Sequence, residues 1–184
     1  MRSLKIFSVL FAFAIVFPSA CFAGLLDNPR VAVIPFVYQG ADKSIEVSEG
    51  ILEDLRSIAE TDIKNASGFK SPDRVGLSKI LDELKLQRSG LFKPETIKKL
   101  GKFTGADYLT LGAVTSVSRD GGKYKAYVTL RMVEVETAEV ALSGRGTGTA
   151  SNLHDSLEKA TEDALSGKRG ILTMLILLSV RNAT

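Results

Sequence analysis

The stretch LGKFTGADYLTLGAV, residues 100–114, decides how this chain folds, because its hydrophobic period changes half-way. Its first part continues a helix that opens at Pro94, a residue suited to a first turn, and runs through Ile97, Leu100 and Phe103. Gly105 stops that helix. From Asp107 onward DYLTLGAVTSV alternates and is rich in β-branched residues, which predicts a strand.

Downstream, RDGGK (119–123) is a hairpin turn signal and YKAYVTLRMVEVE (124–136) the returning strand, with Ala126, Val128, Leu130 and Met132 on one face. After Thr137-Ala138, EVALSGRG (139–146) supplies a third antiparallel strand. Asn152 is placed to cap a last helix through Leu153, Leu157, Ala160 and Ala164, with Gly167 beyond it.

Upstream, RVAVIPFVYQG (30–40) reads as a strand buried on both faces, ended or bulged at Pro35, and 39–44 as a loop. Val47, Ile51, Leu55 and Ile58 predict an amphipathic helix over 46–65, with Glu49, Glu53, Asp54 and Arg56 around the rest of the cylinder. Gly68 closes it, Phe69 opens a short strand, and Leu77, Ile80, Leu81 and Leu84 share a face of the next helix. The expected fold is α/β, a mixed β-sheet with helices packed on its faces and a C-terminal antiparallel meander followed by a helix.

The 184 residues suffice for one domain with a substantial core. Residues 1–23 have the layout of a secretory signal peptide: Arg2 and Lys5, an apolar run over 6–17, then small residues. Two processing sites compete. Cleavage after Ala23 is one; the other is a lipobox-like Pro18-Ser19-Ala20-Cys21, in which Cys21 is acylated, although Pro18 stands where Leu is usual. This leaves residues 24–184 as a single domain, its core over about 30–165 and an apolar tail over 170–180 too short to span a bilayer. That tail is read either as a buried terminal segment or as an apolar anchor meeting a membrane or another subunit.

Losing Arg2 and Lys5 with the signal takes the formal charge from +3 to about +1, so the basic balance is no argument for nucleic acid. Cys21 is the sole cysteine, which leaves the exported domain without a disulfide. His154, the one histidine, reads as a solvated helix-start residue. No catalytic set, no cofactor and no metal site are expected, because Cys and further His are missing from residues 24–184. GRGTG (144–148) lacks the Lys-Ser or Lys-Thr and the strand–loop–helix context of a phosphate loop, and reads as flexibility at a strand end. Asp73-Arg74 stands at a helix mouth that could bind an anion, but Arg74 is expected rather to brace the corner through Glu83 or another carboxylate. Lys98, Lys99 and Lys102 form a solvated helix face.

The ordered set VAVIPF, then GF-x4-R-x2-L-x2-IL-x-EL-x3-RSG (68–90), LGKFTGADYLTLGAV and LRMVEVETAEV resembles the curli production assembly/transport component (CsgG-like) family over about residues 30–165. Phe69, Arg74, Glu83 and Gln87 match its helix-entry pattern; Gly101, Gly105, Ala106, Asp107 and Gly112 match its helix-to-strand pattern. The resemblance implies structural roles for these residues. Asp73 stands where the family often has Glu, and Ala138 where it has Gly. Secretion channels of the family insert two long hairpins, which build a membrane barrel; SVSRDGGKYK (116–125) and SGRGTGTASN (143–152) are too short to supply them.

The resemblance therefore implies a non-catalytic periplasmic protein, anchored at the outer membrane if Cys21 is acylated. It would support secretion or assembly by binding envelope proteins or further copies of itself. The alternative it implies is a lipoprotein-like activator docking on a peptidoglycan synthase.

Overall fold

The computed structural model describes residues 29–42, 44–67 and 93–168. Within them lie β1 (Val31–Val33), β2 (Val37–Tyr38), α1 (Glu49–Ser67), α2 (Pro94–Thr104), β3 (Tyr108–Asp120), β4 (Lys123–Glu134), β5 (Val140–Ala150) and α3 (Leu153–Ser166). The strand and helix predicted over 68–90, together with Phe69, Arg74, Glu83 and Gln87, the signal peptide, Cys21 and the apolar tail, lie outside the described residues.

The strands form one mixed sheet in the order β1-β3-β4-β5, with β2 also on β3. Strands β1 and β2 run parallel to β3; β3, β4 and β5 form the antiparallel meander. Pro35 separates β1 from β2, as its missing N–H requires. Gly121 and Gly122, both at positive φ (53° and 80°), close the β3–β4 hairpin in two residues, the backbone twist that matches twisted strands.

Alternation along the strands divides the core between two faces. Val31, Val33, Ala126, Val128, Leu130 and Met132 face α1 and α3. Ala32, Ile34, Leu109 and Val133 face Ile97 and Leu100 of α2. Among the described residues the layers are thus two helices, sheet, one helix.

Helix α1 begins three residues later than expected, at Glu49, because the Ser48 hydroxyl accepts the Ile51 amide at 3.4 Å. Its buried stripe is Leu55, Ala59 and Ile63. Asn152 caps α3: its side-chain oxygen accepts the Asp155 amide at 2.8 Å.

Three expectations are corrected. Phe103, placed on the apolar stripe of α2, is 49% exposed; the buried face of that helix is Ile97, Leu100 and Gly101. The turn of 100° per residue carries position 103 away from the sheet, which is reached by the small Gly101. Arg56, assigned to the polar surface of α1, is 6% exposed and sits next to Leu55. GRGTG is not a flexible strand end. It forms the interior of β5, paired with β4 from Val140 to Ala150.

Gly144, Gly146 and Gly148 lie on the buried face of β5 beneath α3, where a Cβ on any of them would overlap the carbonyl oxygens of Ala164, Ala160 and Ser156 respectively. Two residues of strand advance about 6.7 Å and four residues of helix about 6 Å, so Gly-x-Gly-x-Gly stays in step with Ser156, Ala160 and Ala164 along the contact. The helix packs backbone against backbone.

Ala138 occupies the β4–β5 turn at φ 60°, its amide donating to the Glu134 carbonyl at 2.9 Å. This is the position where the sequence departs from the family's glycine, and the left-handed conformation crowds its Cβ. Ala138→Gly relieves that crowding at some cost in unfolded-state entropy, and should raise stability by about 0.5 kcal/mol in urea unfolding.

Candidate functional site

The described residues that match the family pattern, Gly101, Gly105, Ala106, Asp107 and Gly112, lie where α2, β1, β3 and the end of β4 meet. Asp107 ties three segments there. Its Oδ2 accepts the Arg30 amide at 2.8 Å, its own amide donates to the Arg30 carbonyl at 2.8 Å, and its carbonyl accepts the Val135 amide at 2.9 Å. The buried Ala106 donates its amide to the Gly101 carbonyl at 3.1 Å, within the turn that Gly105 (φ 62°) makes possible. Gly101 lies under Val135, and Gly112 under the ring of Phe36, each where a side chain would collide. No described pocket opens here. These residues hold α2 and β1 on the sheet.

A groove of about 400 Å³ lies at the opposite end, lined by Asp42, Ser44, Ile45, Glu46, Arg119, Tyr124 and Leu153. The loop before α1 forms one wall. The Ser44 hydroxyl and amide both donate to Asp42 Oδ1, at 2.6 and 2.8 Å, and hold that carboxyl below its ordinary pKa. Tyr38 donates its hydroxyl to the Asp42 carbonyl at 2.6 Å. The other wall is the β3–β4 hairpin, where the Arg119 guanidinium lies 5.2 Å from the centre of the Tyr124 ring. The groove thus offers two carboxylates and one cation already stacked on an aromatic ring. It is a polar recess in which the Ser44 hydroxyl and the Asp42 carboxylate are engaged with each other.

His154 opens α3 half-exposed, with Nε2 3.6 Å from Asp54 Oδ2 and Nδ1 3.9 Å from Asp155 Oδ1. Asp155 and Glu158 stand beside it, the three offering ligand atoms within 4.8 Å of one another. The sequence reading placed His154 at a helix start beside Asp155, and Glu158 follows one turn on along α3; only the approach of Asp54 needs α1 and α3 side by side. All are at the surface, so water competes for every ligand atom.

The remaining surface feature is β5 itself. No described strand lies on its outer side. The Thr147 amide points to that side and donates to Asp163 Oδ2 of α3 at 2.9 Å, which occupies the middle of that edge. The outward face of β4 and β5 presents Lys125, Arg131, Arg145 and the exposed Tyr127, with Lys125 Nζ 5.3 Å from the Tyr127 ring centre. Periodicity makes this face legible in the sequence, as the polar partners of the Ala126–Met132 stripe; what it binds is not.

Comparison with known proteins agrees with this geometry. The family model of the curli production assembly/transport component CsgG matches residues 28–160. Among solved structures, the chain is similar to the PelC dodecamer from Paraburkholderia phytofirmans, at 18% identity over 76% of this chain and 86% of that one, with a TM-score of 0.51. It is similar also to the lipoprotein GNA1162 from Neisseria meningitidis, at 14% identity over 84% of this chain and 99% of that one, with a TM-score of 0.50. The LpoB C-terminal domain from Escherichia coli aligns at 14% identity over 67% of this chain and 84% of that one, with a TM-score of 0.47. At such identities the likeness is one of fold. No curated protein sequence matches the chain significantly.

Proposed function

Because the chain belongs to the curli production assembly/transport component CsgG family, we propose that it is a non-catalytic, exported envelope protein that supports secretion or assembly by binding other proteins and further copies of itself. The observation that carries this reading is the shortness of two connections. Strand β3 returns as β4 through Gly121-Gly122 alone, and β5 passes to α3 through Ser151-Asn152 alone. Those are the two places where channel-forming members of the family insert their barrel hairpins. Each barrel strand needs about ten residues with an alternating lipid face, and neither connection has them. What is left is the periplasmic core.

The surface for partners is the edge of β5, on which no described strand lies, with the basic, tyrosine-bearing face beside it, a combination suited to strand addition by an acidic segment. Self-association is favoured by the dodecameric state of the PelC relative of similar fold. Cys21 decides the tether: acylated, it holds the domain at a membrane; removed with residues 1–23, it leaves the domain free in the periplasm.

The test is the native mass of the purified protein by light scattering, joined to conductance across planar bilayers. A closed assembly of several copies with silent bilayers is expected. Stable single-channel steps would overturn the loss of the pore, and a strictly monomeric mass would overturn self-association.

A further inference from the structure

The sheet separates two surfaces of opposite charge. On the side of α1 and α3 turned away from it, Glu49, Glu53, Asp54, Asp155 and Glu162 are exposed, set against Lys64 and Lys159. On the sheet's other side α2 exposes Lys98, Lys99 and Lys102, and the strands expose Lys125, Arg131 and Arg145. The exposed acids Glu95, Glu136 and Glu139 lie on α2 and in the β4–β5 turn, so no described carboxylate stands in the middle of that strand face. The formal net charge of the whole chain is only +3, so charge is segregated here, not in excess.

Register makes the basic face a paired one. Arg131 lies opposite Ser143 and Arg145 opposite Thr129, so the two arginines are diagonal neighbours on adjacent strands, about 7 Å apart. No ion pair among the described residues engages either guanidinium. Two unpaired cations at that spacing repel, and a carboxylate reaching both would meet forked donors on each. Around them the strand face presents Tyr127, 37% exposed, with Thr129 and Thr147. A helix surface bearing carboxylates complements such a face, and every copy of the chain carries one on its opposite side.

We propose that the acidic outer surface of α1 and α3 in one copy seats on the basic face of β4 and β5 in a second copy, with Arg131 and Arg145 receiving its carboxylates, Asp54 and Glu162 among them. The sheet lies between the two surfaces, so no copy satisfies itself. The contact is head-to-tail: each copy uses both surfaces, and repetition closes into a ring where the rotation between neighbours permits. This inference rests on the self-association proposed above and names the surfaces that carry it; the edge of β5 takes no part.

The test is charge exchange, read by sedimentation velocity on the purified chain. One variant carries Arg131→Glu with Arg145→Glu, the other Asp54→Lys with Glu162→Lys; all four side chains are exposed. Each variant alone sets like charges face to face and should self-associate at least about tenfold more weakly than the parent. Mixed in equal amounts, the two restore opposite charges at every contact, and assemblies of alternating composition should return. Raising the salt from about 0.05 to 0.5 M should weaken the parent's association, because charges at a contact rim are screened.

Either variant assembling like the parent would overturn this contact and leave self-association standing. Two dissociated variants that stay apart on mixing would overturn it as well. A parent that is itself monomeric at every concentration would overturn self-association, and this contact with it. Should the arginine variant alone dissociate while the Asp54→Lys, Glu162→Lys variant assembles normally, the basic face meets some other anion and the proposal falls. Recovery on mixing cannot come from misfolded chains, so a positive result stands without a separate folding control.

Discussion

Gly146→Ala is expected to destabilise the protein by about 3 kcal/mol, at the upper end of the cost of overpacking. The added methyl has no side chain to push aside. It meets the Ala160 carbonyl oxygen and the Ala164 amide, both part of the α3 backbone, so the whole helix has to rise from the sheet. Lifting it also loosens Leu157, Ala160 and Ala164, which are buried against Val128 and Leu130. For a domain of this size the melting temperature should fall by roughly 10 °C. Thr149→Ala, next to Gly148 but pointing outward from the same strand, should change stability by less than about 0.5 kcal/mol. A Gly146→Ala protein that melts with the parent would show that α3 does not rest on β5 backbone to backbone.

Arg56→Ala should cost about 2–3 kcal/mol, several times the value of an exposed pair on a helix. The guanidinium donates through Nε to both oxygens of Glu53, at 2.9 and 2.8 Å, and through Nη1 to Glu60 Oε2 at 2.7 Å. Ion pairs at i,i+3 and i,i+4 on a solvated helix are worth only a few tenths of a kcal/mol. Burial changes the sum for the Glu60 pair, because the Arg56 side chain is 8% exposed and that of Glu60 12%, so solvent screens those charges poorly, whereas Glu53 is exposed and adds little. The substitution removes the packing of the aliphatic stem as well. Arg56→Lys keeps a charge but loses the fork that reaches two carboxylates at once, and should fall between parent and alanine variant in urea unfolding. If Arg56→Ala lost no more than about 0.5 kcal/mol, the network would be ornamental and the buried cation would need another explanation.

Both sites show where local reading stops. The glycines of β5 were visible as Gly-x-Gly-x-Gly, and the small residues Ser156, Ala160 and Ala164 as a stripe at helical spacing. Each pattern alone suggests a loop or a weak helix face. Only the approach of α3 to β5 makes them two halves of one contact. Arg56 stands at an angle of α1 where periodicity predicts solvent, and periodicity describes one helix without its neighbours. Phe103 failed for the converse reason: helical spacing marked it apolar, but the sheet contacts α2 through Ile97, Leu100 and Gly101.

By itself the sequence determined the order and type of the described elements, because their signals are local. A missing N–H at Pro35, two glycines at Gly121-Gly122, an amide acceptor at Asn152 and a two-residue period along β4 act within a few bonds of the backbone they govern. Tertiary structure alone decided what each face meets: α3 lying on bare glycine backbone, Arg56 drawn under cover with Glu60, and His154 brought to Asp54. These are contacts between segments far apart in the chain, and their distances are set by the packing of whole helices on the sheet.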